Sequence, residues 1–312
     1  MTDKFHILFK YYSYISAIIK KMEDVMKIRN KILTAALSLA LLPGFVFAKE
    51  GDEIVTLGAD LKESQKSEML REMNASDDAK IVEVTNAEEY KYLGDVLSSK
   101  EIGKRAISSA IVRYEKAGSG LTIELSDNIR VVKEDAFINA LNTVGIEDAD
   151  IYVTAPGKVS GTAALTGILK AYEENTGKEL PEDLKKVANE ELVVQTKLSE
   201  ELGNEKTNDI IYEIKDAMAK NMPKDEKEVR VIIENVVNNY NINLTKSQED
   251  KLVGLFNNMK NADVDWNRMA DTAVKYKDKA SKFLNSPEGE KAVENTKSFL
   301  EKLIDFIVGL FK

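Results

Sequence analysis

The sequence has no cysteine, one tryptophan, five prolines and a single histidine. Without cysteine no disulfide braces the fold, no thiol acts as nucleophile and no thiolate holds a soft metal. The histidine is His6, inside the first 48 residues, which read as a segment removed on export. A chain that starts at Lys49 has neither histidine nor cysteine, which excludes histidine-based serine or cysteine triads and His/Cys zinc sites. Catalysis would then fall to Asp, Glu, Lys, Tyr, Ser or Thr, and a metal would need hard oxygen ligands of the calcium or magnesium kind. No catalytic residue is assignable, and neither a metal nor a cofactor is expected.

The export reading rests on MKIRNKILTAALSLALLPGFVFA, residues 26–48. Lys27, Arg29 and Lys31 form a basic start, Ile32 to Leu42 an apolar core, and Pro43-Gly44 a break before cleavage after Ala48. The core is too short for a comfortable bilayer span. Residues 1–25 are a long polar prefix for such a signal, so Met26 is the expected true start, with a signal-anchor as the competing reading. The segments expected are 1–48 (prefix and signal), 49–178 (α/β), 179–261 (helical) and 262–312 (helical tail). Beyond residue 48 the chain carries 37 basic against 50 acidic residues, net −13. Such a surface argues against nucleic acid as a partner, because phosphate binding needs a local excess of Lys and Arg.

What is present is a mixed pattern followed by a uniform one. EIVTL (53–57), KIVEV (80–84) and DIYVTA (150–155) read as strands, separated by helical stripes at 59–73, 86–94 and 133–145. Residues 106–126 read as two β-rich runs around Ala117-Gly118-Ser119-Gly120, a hairpin signal, and IRVV (129–132) as further strand. Residues 69–89 and 140–160 both run helix, acidic turn, Asp-Ala, strand and Val-Thr, which suggests either an internal duplication or a shared local logic. After Gly177 only helical patterns follow, one opened by Thr245-Lys246-Ser247-Gln248 in capping-box form. The fold class is thus α/β, a mixed sheet with covering helices, followed by an all-α region without disulfides.

Three features invite a chemical reading. APGKVSGTAALTG (155–167) places Lys158 between glycines at a strand-to-helix turn, yet Tyr152 and Val159 occupy two positions at which a phosphate loop needs Gly and Ser/Thr. What remains is a helix start where Lys158, Ser160, Gly161 and Thr162 would hold an anion, or where Ser160 caps the helix and Gly161 and Gly167 pack closely. DVDWNRMAD (263–271) imitates the start of a calcium loop but has Arg268 and Val274 in place of the turn Gly and bidentate Glu. Glu190-Glu191, Glu173-Glu174 and Asp148/Asp150 are carboxylate pairs, although neighbours along a helix point in different directions. The last stretch, 296–312, is amphipathic and reads as a helix docking on its own domain, on a membrane surface or on an envelope protein.

VTLGADL (55–61), KYLG (91–94), IGKRAISSA (102–110), VSGTAALTGILKAYEE (159–174), ANEELV (188–193) and YNINLT (240–245) occur in this order. Together they resemble the YpuA-like exported proteins of Gram-positive bacteria, the domain of unknown function 1002 family, from about Glu53 to Met259. The resemblance implies an exported or envelope-associated protein and carries over no catalytic residue. The expected function is a secreted, cell-envelope-associated, non-catalytic binding or scaffold module. The alternatives are a small-anion binder at 158–162 and a carboxylate hydrolase acting on wall material.

Overall fold

A computed structural model describes residues 51–272, apart from residue 241. These residues lie in one compact unit, Ala48–Lys312. The signal reading at 26–48 and the amphipathic stretch 296–312 fall outside the described residues.

Five short strands make the sheet: β1 (Glu53–Gly58), β2 (Lys80–Val84), β3 (Ser109–Tyr114), β4 (Leu121–Leu125) and β5 (Ala149–Thr154). Their order is β2-β1-β3-β5-β4, with β1/β2 and β4/β5 parallel and β3 antiparallel to both its neighbours. The expected hairpin therefore does not form, because β5 sits between β3 and β4. The glycine turn instead closes on Asp148, whose Oδ1 accepts from the N–H groups of Gly118 (2.9 Å) and Gly120 (2.8 Å). IRVV is not a strand either, since only Ile129 bridges to Val159. Its remaining backbone clamps the stretch after β5: Arg130 N–H donates to Val159 O, and Val131 and Val132 N–H to Ser160 O.

Alternation sorts each strand into two faces. Val55, Leu57 and Ile111 meet α1 (Glu63–Glu72) through Met69, together with Leu61 and Met73. Ile54, Val112, Ile123, Ile151 and Val153 point the other way, into the main core under α4 (Glu134–Val144) and α5 (Ala164–Thr176). The crossovers β1-α1-β2 and β4-α4-β5 step the same way across the sheet on opposite faces. They are therefore of opposite hand, and one departs from the usual right-handed rule. Two halves of opposite hand do not superimpose, so the similar words at 69–89 and 140–160 reflect shared local logic rather than a repeated fold.

The remaining helices are α2 (Asn86–Leu93), α3 (Ser99–Ile102), α4 (Glu134–Val144), α5 (Ala164–Thr176), α6 (Glu182–Leu202), α7 (Asn204–Asn221), α8 (Glu226–Asn239) and α9 (Lys246–Asn261). The Thr245 box forms as expected: the hydroxyl of Thr245 accepts from Gln248 N–H at 3.3 Å and Gln248 Oε1 accepts from Thr245 N–H at 2.6 Å. Sheet and helical region share one apolar core, which runs from Ile151 through Phe137 and Leu192 to Phe256 with no break near residue 178.

Two glycines set how closely the chain passes itself. Gly161 has φ +96, and a Cβ there would lie 2.5 Å from Ile129 Cγ2. On α5, a Cβ at Gly167 would lie 2.8 Å from Thr56 Oγ1 and 3.3 Å from Val84 Cγ2, so the helix rests directly on β1 and β2. Gly167→Ala offers about 1 kcal/mol of helix propensity, whereas forced separation of packed layers costs about 1–3 kcal/mol. The net expectation is destabilisation read by urea unfolding, and a variant as stable as the parent would refute the close-contact account.

Candidate functional site

The stretch singled out in the sequence forms a turn rather than a capped helix. α5 starts at Ala164 with Ala163 as N-cap and no side-chain cap, three residues beyond Ser160. Ser160 faces Thr162 instead, hydroxyl to hydroxyl at 3.1 Å, and positive φ at Gly161 swings the chain away before the helix begins. Lys158 is exposed, Ser160 half-buried, Gly161 and Thr162 buried. The expected Ser160 cap is thus absent, while the close packing at Gly161 and Gly167 is present.

The carboxylate pairs separate. Glu173 accepts from Lys185 Nζ at 2.9 Å and from Leu180 N–H at 2.8 Å, while Glu174 pairs with Lys80. Asp148 closes the glycine turn, and Asp150 stands opposite Arg113 across β3/β5. Asp265, from the calcium-like stretch, accepts from Arg268 N–H at 3.0 Å at the start of a helical turn. Among the described residues no cluster of three or more His, Cys, Asp or Glu is arranged to hold a metal.

Glu190 and Glu191 go to different places, one to a groove and one to the core. Glu190 lines a groove of about 350 Å³ between α2, α6 and α9, with Tyr92, Asp95, Asp183, Lys186 and Asn258 among its walls. Residues 183, 186, 187 and 190 fall on one face of α6, and this spacing puts them side by side. Burial pushes the Glu190 carboxyl above its usual range, Asp95 adds to the rise, and the 2.9 Å bond from Asn258 Nδ2 opposes it. Lys186 Nζ lies 3.9 Å from Asp95 with both side chains largely in water, an interaction worth under about 1 kcal/mol. The groove therefore offers mainly hydrogen-bond acceptors and two-way amides, with the Tyr92 ring at one end.

Glu191 points into the core. Its Oε1 lies 2.5 Å from Lys215 Nζ on α7, and neither side chain is more than 2% exposed. Thr143 of α4 completes the knot: its hydroxyl donates to Glu191 Oε2 at 2.6 Å and accepts from Lys215 Nζ at 2.9 Å. Lys215 also donates to Asn139 O at 3.1 Å, and Asn139 Nδ2 donates to Gln195 Oε1 (2.8 Å) and Asn208 Oδ1 (2.7 Å). Burial depresses the Lys215 ammonium below the usual lysine range; Glu191 opposes the shift and Arg268 adds to it.

Sequence reasoning missed this knot, although a signal existed. Lys215 lies on the apolar stripe Ile211, Ile214, Met218, and Glu191 on the stripe Ala188, Leu192. Polar residues on a core-facing stripe need partners, and three helices supply each other's.

A further buried acid sits on α2. Glu89 is 2% exposed, and its Oε2 accepts from Asn86 Nδ2 at 2.8 Å. Burial raises its pKa to about 7, the Asn86 bond opposes the rise, and the charges of Asp60 and Glu88 add to it.

Comparison with known proteins follows the same outline. The family described as "Protein of unknown function (DUF1002)" matches residues 57–276. "Uncharacterized protein YpuA" of Bacillus subtilis (strain 168) is 46% identical over 288 residues, which cover 91% of this chain and 97% of that protein. No solved structure matches the chain. The chain belongs to the DUF1002 family.

Two predictions follow from the buried acids. Removing one partner of the knot, by Lys215→Met or Glu191→Leu, strands a buried charge and costs about 3–5 kcal/mol. The double variant recovers most of that loss, and chemical unfolding of all four forms measures the coupling; simple additivity would refute it. For Glu89, the folded pKa of about 7 exceeds the reference 4.5, so the folded state holds the proton more tightly. The contribution of Glu89 to stability is therefore full below pH 4.5 and is lost as pH rises toward 7, by about 3 kcal/mol at most. Glu89→Gln flattens that interval; an unchanged profile between the two values would show that Glu89 is not its source.

Proposed function

We propose that this member of the family acts outside the cytoplasm as a non-catalytic, envelope-associated binding module, exported by the signal at 26–48. The observation that carries the reading is the α2/α6/α9 groove, whose walls combine three carboxylates, two amides and one tyrosine with a single lysine, Lys186. Such walls suit a ligand rich in hydroxyl or ammonium donors and disfavour phosphate. The chain beyond Ala48 has no histidine or cysteine, and the carboxylates paired in sequence are tied to separate structural partners. Both points favour binding over wall hydrolysis. The amphipathic stretch 296–312 would give the module its contact with a membrane surface or an envelope protein.

A second reading, an anion held by Lys158, Ser160, Gly161 and Thr162, draws support from the start of α5, which has no side-chain cap and no acidic residue in its first turn. The two readings separate by calorimetry on the chain from Lys49, titrated with a neutral glycan oligomer, its amine-bearing counterpart and inorganic phosphate. The groove reading expects glycan binding that weakens about tenfold in Glu190→Gln and Asn258→Ala and is untouched by Lys158→Ala. Phosphate binding lost only in Lys158→Ala would transfer the function to the turn, and silence with every probe would remove both sites.

A further inference from the structure

The knot around Lys215 is enclosed by α4, α6 and α7 on three sides, and the fourth closure comes from the chain after α9. There Val264 and Met269 are buried, and Met269 Sδ lies 3.9 Å from Thr143 Oγ1, the hydroxyl that touches both Lys215 and Glu191. Arg268 lies over Gly145 at the end of α4, donates from Nη2 to Thr143 O at 3.4 Å, and has Nε 3.7 Å from Glu147.

We propose that residues 262–272 form a strap that seals the Lys215–Glu191 pair and whose release uncovers Lys215 as an accessible amine. The strap is the weakest of the four walls. The three helices run 11, 21 and 18 residues and interlock through the core, whereas the strap holds by two buried residues (Val264 and Met269), two half-buried ones (Ala262 and Trp266) and two long polar contacts. The Nε of Arg268 is buried without a hydrogen-bond partner, so this anchor is incompletely satisfied. The charge of Arg268 also opposes that of Lys215, so closure brings two cations together and opening separates them. An element with few apolar contacts and strained electrostatics opens locally before its surroundings do. Glu191 on α6 and Arg268 on the strap are the charges that face Lys215, while α4 contributes the uncharged Asn139 and Thr143.

Trace acylation with an amine-reactive ester, read residue by residue by mass spectrometry, tests the strap on the chain from Lys49. In the parent, Lys215 should react far more slowly than the exposed lysines. In Arg268→Ala/Met269→Ala its rate should rise about tenfold or more. Lys185, which is buried beside Glu173 and Glu182 rather than in the knot, should keep its rate. Glu147→Gln loosens the anchor without touching the core and should give a smaller rise at Lys215 alone. The proposal is overturned if Lys215 stays protected in both variants while they keep parental circular dichroism. It is equally overturned if Lys185 and Lys215 rise together, since the variants would then have loosened the whole fold.

Discussion

A lysine and a glutamate that no water reaches constrain everything around them. Taking both charges out of water costs several kcal/mol each, and attraction offsets this only when every remaining donor and acceptor is met. Here the demand is distributed over three helices and is met except at Asn139 Oδ1, which is buried without a hydrogen-bond partner. Thr143 and Asn139 come from α4, Glu191 and Gln195 from α6, and Lys215 and Asn208 from α7. Each helix can rotate or slide only by breaking bonds in a low-dielectric interior, where a partly satisfied network costs more than an apolar one. The knot therefore fixes the register of the helical layer against α4, and α4 is the crossover that links β4 to β5. That is the physical reason that sheet and helical region form one body with no linker between them.

The same accounting bears on chemistry. An acidic protein has many carboxylates, yet charge alone gives none of them a function. Asp148 holds a glycine turn, Glu173 a loop and a lysine, Glu191 the knot, and Glu88 an ion pair with Lys170 that pins α2 to α5. Glu190 differs because one side of it meets Asn258 and another faces an open groove. Its raised proton affinity comes from being half removed from water beside a second acid, an environment that suits donor-rich ligands.

Much of the fold was legible in the sequence because local rules were obeyed locally. The strands at 80–84 and 149–154 largely alternate as half-buried strands do, the one at 53–58 is a short apolar run buried on both faces, and Gly145 and Gly177 stop α4 and α5 in the left-handed conformation that glycine tolerates. Errors arose where a long-range partner overrode a local signal. β3 and β4 flank a glycine turn yet never pair, because β5, some 25 residues further on, outcompetes the hairpin by pairing with both. Ile129–Val132 has strand composition but spends its N–H groups on Val159 and Ser160. Ser160 has the right chemistry for a cap and the wrong position, since Gly161 turns the chain first. The groove was invisible for a different reason: its walls lie on three helices separated by up to about 170 residues, and only the α6 face carries a local periodicity.

The lone tryptophan, Trp266, falls within the stretch that closes over the knot, half-buried against the core. Its indole is therefore a native optical probe placed on the wall that the chain after α9 supplies. Tryptophan emission from this protein is set by the polarity around that segment rather than by the average of the fold, so a spectral shift in the unlabelled chain reports a change in the segment's surroundings.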